Sequence, residues 1–221
     1  MAVGRAKDGA PRRRHARANR EAIVEAAIVA LAADPDASMA EVARAAGVVR
    51  RTVYAHFPSR QDLLEGIAEE AFAQLMAVSG QEDEASGDPA VALAELTLRI
   101  WPVGDRFRLL LSVARKEIGD TRIHHMLEPI RGRLHDIVER GRGDGRFSTY
   151  LPVEVLVATA EAVTLGHLEQ ANRGLITDKG ETCAVTGLVL MGLPPEAAHR
   201  VVDGLVESRP ANSVGDPDSE R

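Results

Sequence analysis

Residues 38–57, SMAEVARAAGVVRRTVYAHF, constrain this chain more than any other stretch, because they dictate two short helices joined by a tight turn. Ser38 and Glu41 have the spacing of a capping box, in which hydroxyl and carboxylate each satisfy an N–H group that a new helix leaves without a partner. Met39, Val42, Ala43 and Ala46 share the inner face of that first helix. Gly47 closes it in the left-handed conformation that glycine adopts freely. A second helix follows from Val49 or Arg50 to His56, and Pro58 stops it. The small Ala43, Ala46 and Gly47 permit the close backbone approach needed by two helices crossing at about 90–120°. Val48, Val53 and Phe57 form the apolar side of the second helix. Its other side carries Arg50, Arg51, Thr52, Tyr54 and His56, the donors that such a helix offers to base edges and phosphates. The plan is that of a helix-turn-helix.

The surrounding sequence predicts helices throughout. Residues 1–18 lack helical periodicity and contain Gly4, Gly9 and Pro11, so a disordered basic arm is expected there. From Asn19 onward Ile23, Ala26, Ala27, Ala30 and Leu31 recur at the spacing of one buried face, until Asp34-Pro35-Asp36 breaks the helix. Ser59-Arg60-Gln61-Asp62 caps a longer helix running to about Val78. A polar connection over 79–88 leads to further helices at about 89–101, 105–118, 121–142, 152–173, 179–191 and 195–207. Pro129 predicts a kink or a late start in the third of these. No stretch alternates as a strand would, and residues 209–221 read as a disordered tail.

Charge is distributed unevenly along this helical chain. Residues 1–60 hold 11 Lys and Arg against 6 Asp and Glu, whereas residues 61–221 hold 16 against 27. A basic end on an acidic body is the pattern of a nucleic-acid-binding module joined to a partner domain. The single Cys183 fits a reducing compartment. No apolar run approaches the roughly 18 residues that cross a bilayer, and no secretory leader is recognisable, so a cytoplasmic location is expected.

With these residues in view, the stretch resembles the DNA-binding region of the TetR (tetracycline repressor) family. Met39, Glu41, Val42, Ala43, Ala46, Gly47, Val48, Thr52, Val53, Tyr54, His56, Phe57, Ser59, Arg60 and Leu63 carry the resemblance, which covers residues 20–65 well. Beyond it the chain resembles the family in length, helix count and general pattern, including Gly145-Arg146-Phe147 and residues 188–193, LVLMGL. Two positions depart from the pattern. Val49 stands where the family has a capping Ser or Thr, and Arg51 replaces a small residue. A guanidinium at 51 can reach a guanine bidentately, so the target sequence cannot be borrowed from relatives.

The resemblance implies an all-α regulator of transcription, expected to be a repressor, with a DNA-binding domain at 19–65 and a helical regulatory and dimerisation domain at 66–208. Tyr54, Thr52, His56 and Arg60 would grip phosphates, Arg50 and Arg51 would read bases, and Arg12, Arg13 and Arg14 would enter the adjacent minor groove. The plainer readings are structural: Tyr54 packed on the first helix, His56 and Arg60 as solvated residues, and the arm as a solubility tail. Partners would be a palindromic DNA operator, a second copy of the chain and a small lipophilic effector, with no cofactor.

For the regulatory domain the resemblance implies a ligand pocket and a four-helix dimer interface. Trp101, Phe107, Met126, Tyr150 and His167 are the bulky or mixed-polarity candidates for the pocket, or else ordinary core. Val155, Ala158, Ala162 and Leu165 on one helix, with Val185, Leu188 and Val189 on the next, are candidates for the interface, or else pack within one chain. His124-His125 and His167 with Glu169 lack the three- or four-residue spacing that converges ligands on one helix face, so no metal is expected. No phosphate loop, nucleophile elbow or HExxH motif points to an enzyme. A purely protein-binding helical adaptor would leave the arginines and Tyr54 of the second helix without a purpose.

Overall fold

The computed structural model describes residues 9–80 and 87–208, with side chains from Arg17 onward apart from Ser112 and Asp120. Among the described residues there are ten helices and no strand: α1 (Gly9–Ala33), α2 (Met39–Ala45), α3 (Arg50–His56), α4 (Arg60–Ser79), α5 (Pro89–Ile118), α6 (Asp120–Met126), α7 (Glu128–Gly143), α8 (Val153–Asn172), α9 (Glu181–Leu190) and α10 (Pro195–Ser208). The expected all-α architecture with an N-terminal helix-turn-helix is the one the chain adopts.

Local chemistry explains most boundaries. At the start of α2, Ser38 N–H donates to Glu41 Oε2 (2.8 Å) and Glu41 N–H donates to Ser38 Oγ (3.3 Å). At the start of α4, Ser59 and Asp62 do the same at 2.8 and 3.1 Å. Gly47 has φ 67°, the left-handed turn that its position after α2 requires. Pro129 lies in the first turn of α7, where its missing N–H costs nothing, so that helix starts late rather than kinking.

Three expectations are corrected. α1 begins at Gly9, so the backbone is helical over 9–18 where an arm is expected; Gly9 and Pro11 fall in its first turn, where they are tolerated. The helices expected at 89–101 and 105–118 are one helix, α5, with Pro102 inside it. An interior proline costs about 3 kcal/mol. Leu96, Leu98 and Trp101 before it and Val103, Phe107 and Leu110 after it are all buried, which offsets that cost. A domain boundary at 65/66 would fall inside α4, whose Leu63, Leu64 and Ile67 all join the core of the helix-turn-helix.

The described residues form two compact units, 9–80 with 102–130 and 87–101 with 131–208. In the first, Ile23, Val24, Ala27, Ile28 and Leu31 of α1 pack with Val42, Val53, Phe57, Leu63, Leu64 and Ile67, and Val103, Phe107 and Leu110 of α5 complete that core. In the second, the first half of α5 packs with α7 to α10 through Leu93, Leu96, Leu98, Ile137, Val138, Leu156, Leu188, Met191 and Val202. Trp101, Leu168 and Cys183 form a small satellite cluster there.

Candidate nucleic-acid interface

α3 is anchored by its apolar side and offers the rest to solvent. Val53 is fully buried, and Phe57, just past the last turn, is buried as well. The Phe57 ring fills a niche on α4 made by Gly66, where any Cβ would come within 2.6 Å of ring atom Cε1. Arg20 of α1 lies over the same ring, 5.2 Å from its centroid, and its guanidinium donates to Glu69 at 2.9 Å. Two helices, α1 and α4, thus fix the end of α3. The role of Gly66 escaped the sequence reading, because nothing local marks a residue made small for an aromatic nine positions earlier.

Arg50, Arg51, Tyr54 and Ala55 are exposed, while Thr52 and His56 are half-buried. Tyr54 is 50% exposed. Neither Arg50 nor Arg51 forms an ion pair or side-chain hydrogen bond with another described residue. Two unpaired guanidiniums, a phenol, a threonine and an imidazole therefore share one seven-residue helix. Arg44, exposed in the last turn of α2, adds a further cation that the sequence reading passed over.

Arg60 is a correction. Its guanidinium turns inward, donating to the carbonyls of Pro35 and Ala37 and, through Nε, to Glu117 at 3.1 Å. It braces the α1–α2 turn and the end of α5 against the start of α4. A fork engaged in three directions within the chain is not poised to grip a phosphate. The side chains of Arg12, Arg13 and Arg14 lie outside the described residues.

Comparison with known proteins places this geometry. Residues 23–67 match the model of the bacterial regulatory proteins of the tetR family. The HTH-type transcriptional repressor LfrR of Mycolicibacterium smegmatis is 39% identical over 87 residues, 38% of this chain and 46% of LfrR. The match thus spans less than half the length of that curated relative. The TetR-like regulator LfrR from Mycobacterium smegmatis, solved in complex with proflavine, superposes with a TM-score of 0.62 at 22% identity, covering 79% of this chain and 94% of that one. FadR from Bacillus subtilis, solved in complex with stearoyl-CoA, gives 0.66 at 17% identity, covering 78% and 97%. Residues 23–67 thus match a tetR-family helix-turn-helix model, and the chain shares the fold of these solved regulators.

The structure also rearranges the candidates expected for a ligand pocket and a dimer interface. Trp101 is buried beside Leu168 and Cys183, and His167 is half-buried on α8. His167 Nδ1 lies 2.8 Å from the Val163 carbonyl, which makes Nδ1 the donor; Nε2 faces Thr186 Oγ1 of α9 at 3.4 Å. Phe107 and Met126 belong to the other unit, where Phe107 is part of the helix-turn-helix core. Tyr150 is 60% exposed in the α7–α8 connection, which is no position for a cavity wall. Burial pushes the Cys183 thiol up to about 11, outweighing its hydrogen bond to Thr164.

On α8, Val155, Ala158 and Ala162 are exposed and Leu165 is half-buried, an apolar stripe along one side. On α9, Val189 is exposed and Val185 half-buried. Leu188 is corrected: it is 0% exposed and belongs to the core of its own unit. α9 is apolar nearly all round, so spacing alone could not say which leucine or valine faces inward. Among the described residues no helix is long and apolar enough to cross a membrane.

Proposed function

We propose that this chain is a homodimeric transcriptional regulator, not an enzyme, that binds a palindromic operator through α3 and is released from it by a small lipophilic ligand. The observation that carries the reading is the presentation of Arg50, Arg51 and Tyr54, exposed side by side on a helix held rigidly by Val53 and Phe57. Arg50 and Arg51 read base edges in the major groove, while Tyr54, Thr52 and His56 contact phosphates and set the register. The exposed stripe Val155, Ala158, Ala162 and Leu165, with Val189, supplies the dimer contact, because two such stripes hide each other's apolar surface. Trp101 and His167 mark the effector site, which combines an apolar wall with a polar group. That LfrR was solved with proflavine and FadR with stearoyl-CoA supports a ligand-responsive role.

The test is selection of bound sequences from a random duplex pool, followed by titration at several salt concentrations. A palindrome with half-sites about one helical turn apart is expected. Affinity should fall steeply with salt as phosphate counterions are released. Recovery of no sequence, with binding indifferent to salt, overturns the reading.

A further inference from the structure

Four polar side chains line the seam where α8 packs on α9, and each has its hydrogen committed within the chain. Thr164 Oγ1 donates to the Ala160 carbonyl at 3.0 Å, and Thr186 Oγ1 donates to the Thr182 carbonyl at 2.8 Å. The Cys183 thiol donates to Thr164 Oγ1, 3.7 Å away. His167 spends its Nδ1 hydrogen on the Val163 carbonyl. With Nδ1 protonated, the neutral ring carries a bare lone pair at Nε2. Its hydrogen-bonding neighbour there among the described residues is Thr186 Oγ1, at 3.4 Å. That hydroxyl has a single hydrogen, already directed at Thr182, so it cannot satisfy Nε2.

The cause lies in the helices themselves. Thr164, His167 and Thr186 each bond back to the carbonyl four residues earlier, which uses them up as donors and leaves their acceptor capacity. All three are half-buried, so their lone pairs stay within reach of an incoming molecule. Cys183, beside them, belongs with Trp101 and Leu168 to one buried apolar cluster. Neither α8 nor α9 contains a lysine or an arginine, and together they carry Glu154, Glu161, Glu169 and Glu181. A molecule covering this seam must bring the missing hydrogen or leave a desolvated nitrogen unpaired.

We propose that the α8–α9 seam is an acceptor-only site, which takes a lipophilic ligand through a hydroxyl that donates to His167 Nε2 and turns carboxylates away. The proposal rests on the effector reading above and gives that effector its chemistry: an apolar body with an uncharged donor, as in an aromatic alcohol. An anion would meet lone pairs and find neither a cation nor a free hydrogen to offset its lost water.

The experiment uses the full-length protein and three probes that share one aromatic body. Naphthol donates and accepts, its methyl ether only accepts, and naphthoate is an anion. Calorimetric titration at about pH 8, where free imidazole is neutral, gives the three affinities. Naphthol should bind about tenfold tighter than the ether, the worth of a hydrogen bond whose loss leaves a buried acceptor unpaired. Naphthoate should bind more weakly than either. His167→Phe should bind naphthol and the ether alike. His167→Gln brings N–H donors to the same place, so naphthoate should gain about tenfold relative to naphthol. Circular dichroism checks both folds, and the order measured on the wild type needs neither variant. If the ether or naphthoate matches naphthol on the wild type, or if folded variants keep the wild-type order, the proposal is overturned while a ligand-responsive regulator stands. If none of the three binds, the seam is no effector site, and the effector reading of Trp101 and His167 falls with it.

Discussion

The helix-turn-helix unit and the α7–α10 unit are both helical and both well packed, yet they carry specificity in opposite ways. In the first, the short helices α2 and α3 turn apolar anchors inward and leave Arg50, Arg51 and Tyr54 outside without a side-chain partner among the described residues. In the second, α9 (ETCAVTGLVL) is apolar on nearly every side, and α8 leaves a stripe of small apolar residues, Val155, Ala158 and Ala162, exposed. A polar outward face needs a polar, charged partner and tolerates exposure without one. An apolar outward face is costly in water until another apolar surface covers it. This contrast is what the proposed function uses: a polyanion for the first unit, and a copy of itself or a lipophilic molecule for the second.

The sharpest way to break this contrast is at the anchors. Phe57→Ala empties the niche at Gly66 and should destabilise the protein by about 3–5 kcal/mol, abolishing DNA binding with it. Urea denaturation followed by circular dichroism measures the loss. A change below about 1 kcal/mol would show that α3 is not held by this ring. On the other side of the contrast, Ala162→Asp places like charges in the proposed α8 contact and should convert dimer to monomer in sedimentation. A variant that remains dimeric would move the interface elsewhere.

Arginines of the first unit separate outward from inward roles. Arg51→Ala should cost about 1–3 kcal/mol of specific binding, relax preference at one base pair per half-site and leave the melting temperature alone. Arg60→Ala should do the reverse. It removes charge-assisted bonds to Pro35, Ala37 and Glu117, so it should lower stability by about 1–3 kcal/mol while the salt dependence of DNA binding keeps its slope. A slope reduced by about one would assign Arg60 to a phosphate after all.

The smallest signal comes from the buried thiol. Cys183 should resist maleimide labelling at pH 8 until the second unit unfolds. Its folded pKa of about 11 lies above the ordinary 9.0, so the folded chain keeps this proton longer than the unfolded one. Stability from that source is complete below about pH 9 and is lost as pH rises toward about 11. Rapid labelling at pH 8 without loss of structure would contradict the packing of α8 on α9.

These contrasts also explain what the sequence made legible. Capping boxes span four residues, so Ser38 with Glu41 and Ser59 with Asp62 could be read directly and located α2 and α4. Exposed donors on a short helix follow from its apolar residues, which is why Arg50, Arg51 and Tyr54 were legible too. Arg60 was not, because its partners sit at 35, 37 and 117, and nothing in a local window reveals a contact that distant. Leu188 and Val189 are neighbours with opposite fates, and in a helix without a polar side the sequence holds no information about which turns inward. The gap expected between 101 and 105 holds Pro102, which local chemistry penalises inside a helix; the burial that compensates on both sides is a property of the tertiary structure.

The core of the helix-turn-helix unit is closed by residues well beyond it, Val103, Phe107 and Leu110, and its brace ends on Glu117. Synthesis delivers the chain from the N-terminus, and domains fold as they become complete. α1 to α4 therefore leave the ribosome with one wall of their core missing, and the reading head must wait for the end of α5 to be made. A chain cut after α4 would leave facing water the apolar surface that Val103, Phe107 and Leu110 cover. The order of synthesis thereby ties possession of a finished α3 to possession of α5, the helix in which the next unit begins.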